Sequence, residues 1–148
     1  DGRLENDQTT IGVVADVIAK NDLTCVYAPN GKEPHKDHRT ACKVITEALQ
    51  SLGSDGRSFE IRYYEVWGSL EKFNLVIDIS HLVDAKRKAI TMYESQLKNI
   101  GYDEEILSLN RHRGVTSQKG GYCEVYDCYK IYSKKIQRIR PQKVTPRH

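Results

Sequence analysis

The chain reads LTCVYAPNGKEPHKDHRTACKVITEALQSL over residues 23–52. The segment opens with a continuous apolar run, Leu23 to Tyr27, of the kind expected from a strand buried on both faces. A loop with proline, asparagine and glycine follows, and the next residues place apolar side chains at i, i+3, i+4, i+7, i+8 and i+11, which predicts an amphipathic helix. This strand, loop and helix order indicates an α/β protein.

The loop carries His35-Lys36-Asp37-His38 into the first turn of the predicted helix. The positive end of a helix favours neutral histidine, which is the form that binds metals. In open α/β sheets, ligands bind beyond the carboxyl ends of the strands, which is where this loop lies. We expect a simple helix cap to explain Asp37 but neither histidine, so we interpret the motif as part of a hydrolytic metal site.

The remaining pattern predicts one domain with further helices and strands. Helices are expected at 6–20, from Ser80 to about Lys98, and at 102–110, and strands at 59–67 and 74–79. Residues 111–121 are predicted as a basic loop, and residues 122–132 fit either a strand or a helix. In the first helix, Ile11, Val14 and Ile18 form the apolar stripe, with Val13 and Val17 beside it.

The composition is that of an ordinary globular protein. Of its 148 residues, 39% are hydrophobic and 29% are charged, and no apolar run reaches the length of a membrane span, so we expect no membrane partner. The four cysteines show neither zinc-ribbon nor redox-motif spacing. We therefore expect a reduced, cytoplasmic protein.

The C-terminal end of the chain is strongly basic. Seven lysines and arginines, and no acidic residue, lie between Lys130 and His148. This charge suits either attraction to nucleic acid or a solvated extension, and we favour the extension because aromatic residues occur only at its start. We thus divide the chain into a domain over residues 1–132 and a basic tail over 133–148, and expect no nucleic-acid partner.

The segment Pro34-His35-Lys36-Asp37-His38-Arg39 resembles the second signature of the PIG-L/LmbE-like family of zinc-dependent de-N-acetylases. Other stretches are similar to that family in the same order, and the resemblance covers most of the chain. These stretches are Tyr63-Tyr64-Glu65-Val66-Trp67, Asp78-Ile79-Ser80, Arg113-Gly114 and Gly121-Tyr122-Cys123-Glu124.

The resemblance implies a fold, a cofactor and roles for three residues. The fold would be the C-terminal portion of a Rossmann-like α/β three-layer sandwich with a mostly parallel sheet. The cofactor would be zinc, and the substrate an N-acetylated, sugar-containing small molecule that loses its acetyl group. His38 would be a zinc ligand, His35 would stabilise the tetrahedral intermediate or act as an acid, and Asp37 would orient His35.

One departure from the family is large. The first signature, an Ala-His-Pro-Asp-Asp-Glu-type segment that would supply the other zinc ligands and the general base, does not occur in the chain. A single histidine does not complete a catalytic zinc site. We therefore expect a missing N-terminal segment or a companion chain to supply the rest, with self-association into a homo-oligomer as a further option. The alternative is a non-catalytic binding or regulatory module of the same fold.

Overall fold

The computed structural model describes residues 2–97 and 101–141. Contacts divide the chain into two compact units, Asp1–Leu75 with Tyr126–His148, and Val76–Val125. The helices are α1 (Gln8–Lys20), α2 (Lys36–Leu52), α3 (Val83–Thr91), α4 (Glu94–Leu97) and α5 (Tyr102–Ser117). The strands are β1 (Cys25–Pro29), β2 (Phe59–Tyr64), β3 (Leu75–Asp78), β4 (Cys123–Tyr132) and β5 (Lys135–Arg138).

The described strands form a five-stranded sheet in the order β1-β2-β4-β3, with β5 also paired to β4. The β1–β2 pair is parallel, whereas β2–β4 and β4–β5 are antiparallel. The expected mostly parallel sheet is therefore wrong for these strands. The cause is clearest at β5, because two residues, Ser133 and Lys134, join it to β4, and so short a connection requires antiparallel strands.

The core of the first unit lies between its two long helices and one face of its strands. Ile18 of α1, Leu49 of α2, Ile61 of β2 and Ile131 of β4 are all at most 3% exposed. Val13 and Val17, which we placed beside the apolar stripe, are instead 60% and 52% exposed. At 3.6 residues per turn they fall on the face of α1 opposite its buried positions.

The second unit corrects two predicted boundaries. Helix α5 continues to Ser117, so the loop predicted to begin at residue 111 is wrong for that stretch. A glycine is needed within this helix because a Cβ on Gly114 would lie 2.6 Å from the carbonyl oxygen of Gly121. The single helix predicted from Ser80 to about Lys98 is wrong: a 3-10 turn over Ser80–Leu82 precedes α3, which ends at Thr91, and α4 begins separately at Glu94, while Lys98 lies outside the described residues.

Three further expectations concern the strand at 122–132, the tail and the cysteines. The ambiguous segment forms strand β4. Strand β5 lies within the segment predicted as a basic tail, and residues 142–148 of that segment are outside the described part of the chain. The four cysteines are free thiols, and burial raises the pKa of Cys128 to about 11.

Of the helices that the structure describes, none has the length and apolar character to cross a membrane.

Candidate functional site

The His35–His38 motif lies where the sequence predicted it. Strand β1 ends at Pro29, and helix α2 begins at Lys36 with His35 as its N-cap residue. Asp37 and His38 are therefore in the first helical turn, as expected. The His35 and His38 rings are 5.0 Å apart between centroids, so the loop gathers both imidazoles beyond the carboxyl end of β1.

His35 takes the place of the usual serine or aspartate at the start of the helix, so the expectation that a helix cap explains neither histidine is wrong for His35. Its Nδ1 atom accepts a hydrogen bond of 3.2 Å from the backbone N–H of Asp37. This bond satisfies one of the backbone donors that a helix leaves free in its first turn. The ring is thus held by the backbone of its own motif.

Glu33 is a site residue that the sequence did not reveal. Its side chain is fully buried, and its Oε2 lies 3.4 Å from Nδ1 of His38, whose side chain is 27% exposed. A glutamate between Lys32 and Pro34 in a loop ordinarily faces solvent, and the pattern around it carries no sign of burial. Its three backbone donors, in residues 66–68, are more than thirty positions away, and sequence spacing does not place them beside it.

The Glu33 carboxylate is held by a ring of N–H donors. Oε1 accepts from the backbone of Val66 at 3.1 Å and of Gly68 at 3.2 Å, and from the Asn30 side chain at 2.8 Å. Oε2 accepts from the backbone N–H of Trp67 at 3.0 Å. Successive backbone N–H groups that converge in this way form an anion-binding concavity.

We expected Asp37 to orient His35, but its carboxylate bonds to a different part of the chain. It accepts hydrogen bonds from the backbone N–H groups of Gly2 at 2.6 Å and Leu4 at 3.3 Å. The bond from Gly2 holds the pKa of Asp37 below its usual value, and the bond from Leu4 adds to this effect. The contact with His35 comes from the backbone of Asp37, so the carboxylate fastens the residues before α1 to the start of α2.

Arg39 fixes the loop from the other side. Its guanidinium donates to the carbonyl oxygens of Glu33 at 2.7 Å and Pro34 at 2.5 Å. Charge-assisted bonds of this kind are stronger than bonds between neutral groups. Arg39 therefore helps to hold the residues immediately before His35 in one conformation.

The described residues do not complete a metal site. Residues 2–97 and 101–141 contain no group of three or more histidine, cysteine, aspartate or glutamate side chains placed to hold a metal ion. His38 suits a single ligand position, but Glu33 and Asp37 are engaged by backbone donors. The donors in the described part of the chain accordingly do not form a zinc site by themselves.

A cavity of about 400 Å³ opens beside the same loop. Its lining includes Asn30, Lys32, Tyr63 and Tyr129 but neither histidine of the motif. Tyr63 is half-buried, and its hydroxyl lies 2.9 Å from Thr46 Oγ1. Burial raises its pKa to about 12.

In the second unit, segments that carry the family resemblance contact one another. The Ser80 hydroxyl accepts from the backbone N–H groups of Gly121 at 2.9 Å and Tyr122 at 3.0 Å. Lys86 forms an ion pair of 2.6 Å with Glu124. These bonds give the segments a structural role within the unit.

No family model matches the chain. It is similar to the conserved protein TT1542 from Thermus thermophilus, with 20% identity and a TM-score of 0.74, covering 85% of this chain and 60% of that one. It is also similar to N,N'-diacetylchitobiose deacetylase from Pyrococcus horikoshii, with 20% identity, a TM-score of 0.72, and 86% and 54% coverage. A third similar structure is GalB, the 4-carboxy-2-hydroxymuconate hydratase from Pseudomonas putida, with 18% identity, a TM-score of 0.68, and 99% and 64% coverage.

These similarities show that the chain has an α/β fold related to that of the three proteins. Their identities of 18–20% carry the fold and no more, because one fold hosts many chemistries. The chain spans 54–64% of the length of these relatives.

Proposed function

We propose that this chain forms part of the active site of a zinc-dependent N-deacetylase of the PIG-L/LmbE type. Its substrate would be an N-acetylated, sugar-containing small molecule. The observation that carries the proposal is the pair of imidazoles, His35 and His38, held 5.0 Å apart at the end of β1. The similarity in fold to a chitobiose deacetylase supports the same choice.

Each residue of the motif has a role in this proposal. His38 would hold the zinc through a ring nitrogen, and the metal would polarise the amide carbonyl and activate water. His35 would donate a proton to the leaving amine or a hydrogen bond to the oxyanion. Asp37 would orient His35 through its backbone N–H, which bonds to Nδ1 of that ring.

The other zinc ligands would come from polypeptide outside these 148 residues. Among the described strands, β1 lies at the edge of the sheet; Leu23, just before it, is 40% exposed, and Tyr27, within it, is 46% exposed. An open edge strand is a template for another strand. An N-terminal segment or a companion chain that adds there would bring its own donors close to His38.

Measuring the zinc content of the protein tests whether His38 binds the metal. The intact gene product should hold close to one zinc ion per active site, and His38→Ala should lose it. His112→Ala, in helix α5 of the second unit, is the matched control and should keep the metal. A gene product that purifies as a monodisperse 148-residue monomer with no zinc would contradict both the metal and the missing partner.

Acetate release from N,N'-diacetylchitobiose and N-acetylglucosamine tests the reaction. His35→Ala should retain zinc and lose turnover by at least about 100-fold, the range expected when an acid–base group is removed. Zinc without acetate release from either sugar would shift the substrate class. Neither zinc nor release would favour the non-catalytic module.

A further inference from the structure

The hydrogen bonds made by His35 and His38 determine which ring nitrogen of each histidine carries the proton. In neutral histidine one ring nitrogen carries the proton and the other a lone pair, and the bond made by one nitrogen decides the state of the other. His35 and His38 each form a bond through Nδ1, but with partners of opposite character. The two rings therefore present different atoms to the site.

His38 faces an acceptor. Both oxygens of Glu33 already accept from N–H groups, and a side chain held in this way acts toward His38 as an acceptor. The 3.4 Å contact with His38 therefore requires the proton on Nδ1 of the ring. Nε2 of His38 then carries the lone pair that a metal needs.

His35 faces a donor. The backbone N–H of Asp37 can only donate, so Nδ1 of His35 must carry the lone pair. The proton of the neutral ring then sits on Nε2, where it can be given to a substrate oxygen or nitrogen.

We infer that Glu33 is the positioning residue of this site, fixing His38 as an Nε2 ligand while the Asp37 backbone fixes His35 as an Nε2–H donor. The inference rests on the proposed function for its consequence but not for its geometry. Glu33 can act in this way because its carboxylate is fully buried and its four other bonds leave it no freedom to turn. Mutation of a group that hydrogen-bonds to a metal-binding histidine typically alters metal affinity by about 10- to 100-fold.

Nitrogen-15 NMR of the intact, metal-free gene product tests the two ring states directly. Long-range proton–nitrogen spectra, assigned with His35→Gln and His38→Gln, should show His38 protonated at Nδ1 and His35 at Nε2 when both rings are neutral. A His38 ring protonated at Nε2, or averaging between the two forms, would overturn the inference.

Glu33→Gln separates positioning from simple burial. The amide can donate to Nδ1 of His38, so this ring should change to the Nε2–H form while His35 stays as it was. Glu47→Gln, which alters a carboxylate in helix α2 that contacts neither histidine, is the control and should leave the protonation of both rings unchanged. An unchanged His38 ring in Glu33→Gln overturns the inference, and if that variant does not fold, the wild-type spectrum still decides it.

Zinc affinity gives a second measurement. Glu33→Gln should weaken zinc binding to the intact gene product by about 10- to 100-fold, whereas Glu47→Gln should match the wild type. Equal affinity in Glu33→Gln would count against the positioning role. Absence of zinc binding in the wild type would remove the proposed function but leave the ring assignment to the NMR result.

Discussion

The carboxylate of Asp37 accepts a hydrogen bond of 2.6 Å from the backbone N–H of Gly2, which lies 35 positions earlier in the chain. Leu4 N–H adds a second bond at 3.3 Å. A motif residue that we expected to serve a neighbouring histidine therefore also anchors the residues before α1. Because these bonds favour the ionised carboxylate, they link the stability of the fold to pH.

Asp37→Asn should reduce the loss of stability in acid. Since the pKa of Asp37 is lower in the folded chain than its ordinary 3.8, its contribution is present above pH 3.8 and disappears as pH falls through the folded value. Urea unfolding at several acidic pH values should give a shallower decline in the variant. Asp22→Asn, an exposed carboxylate in the turn after α1, should keep the wild-type slope; equal slopes in all three proteins would refute the link.

Two helical glycines should respond to alanine in opposite directions. Gly12→Ala should raise the free energy of unfolding by about 1 kcal/mol, because nothing lies within 4 Å of the added methyl group and alanine is the better helix former. Gly114→Ala should lower it by about 1–3 kcal/mol, because its methyl group would meet backbone oxygens at 2.6 and 2.7 Å. Chemical denaturation checks both, and stabilisation by Gly114→Ala would contradict the packing of α5.

Tyr63→Phe should cost about 1 kcal/mol through the lost bond to Thr46. It should also change how the free energy of unfolding depends on pH in the alkaline range. Burial raises the pKa of Tyr63 to about 12 from 10, so its contribution is complete below pH 10 and is lost as pH rises toward 12. The variant should lose less stability over that interval in urea unfolding, whereas Tyr93→Phe, which alters a side chain in a residue 68% exposed, should follow the wild type.

The sequence predicted helix α2 well because its signals are local. The apolar periodicity and Gly53 set its extent, and Val44, Ala48 and Leu49 are buried as the pattern requires. The strand before it and the loop with both histidines follow from the same local cues. The two histidines of the candidate site could therefore be found from thirty consecutive residues.

The features that were missed depend on contacts between distant residues. Glu33 is buried because the backbone of residues 66–68 converges on it, and no spacing rule encodes that encounter. The resemblance led us to expect parallel strands, but the direction of β5 was set by a two-residue connection near the end of the chain. Helix α5 includes Gly114, which lies in the stretch predicted as a loop, and a glycine is required there because the neighbouring backbone leaves no room for a side chain.

The role of Asn74 is another feature that could not be read from the sequence. We predicted it as the first residue of a strand, but its side chain bonds as a strand backbone would. Oδ1 accepts from Cys128 N–H at 2.7 Å, while Nδ2 donates to the carbonyl oxygens of Cys128 at 2.9 Å and Ile139 at 2.7 Å. The Asn74 amide thus bonds to both backbone groups of Cys128 and to the carbonyl of Ile139, just after β5.

Asn74→Ala should lower the free energy of unfolding by about 2–4 kcal/mol, since three bonds of about 1 kcal/mol each disappear. The Cys128 carbonyl keeps its bond from the backbone N–H of Ile139. Amide hydrogen exchange at Cys128 should quicken by more than the loss in global stability requires. Asn6→Ala, which removes an exposed side-chain bond to Glu47, should cost less than about 1 kcal/mol. Similar losses in the two variants would mean that the amide of Asn74 contributes no more than a surface contact.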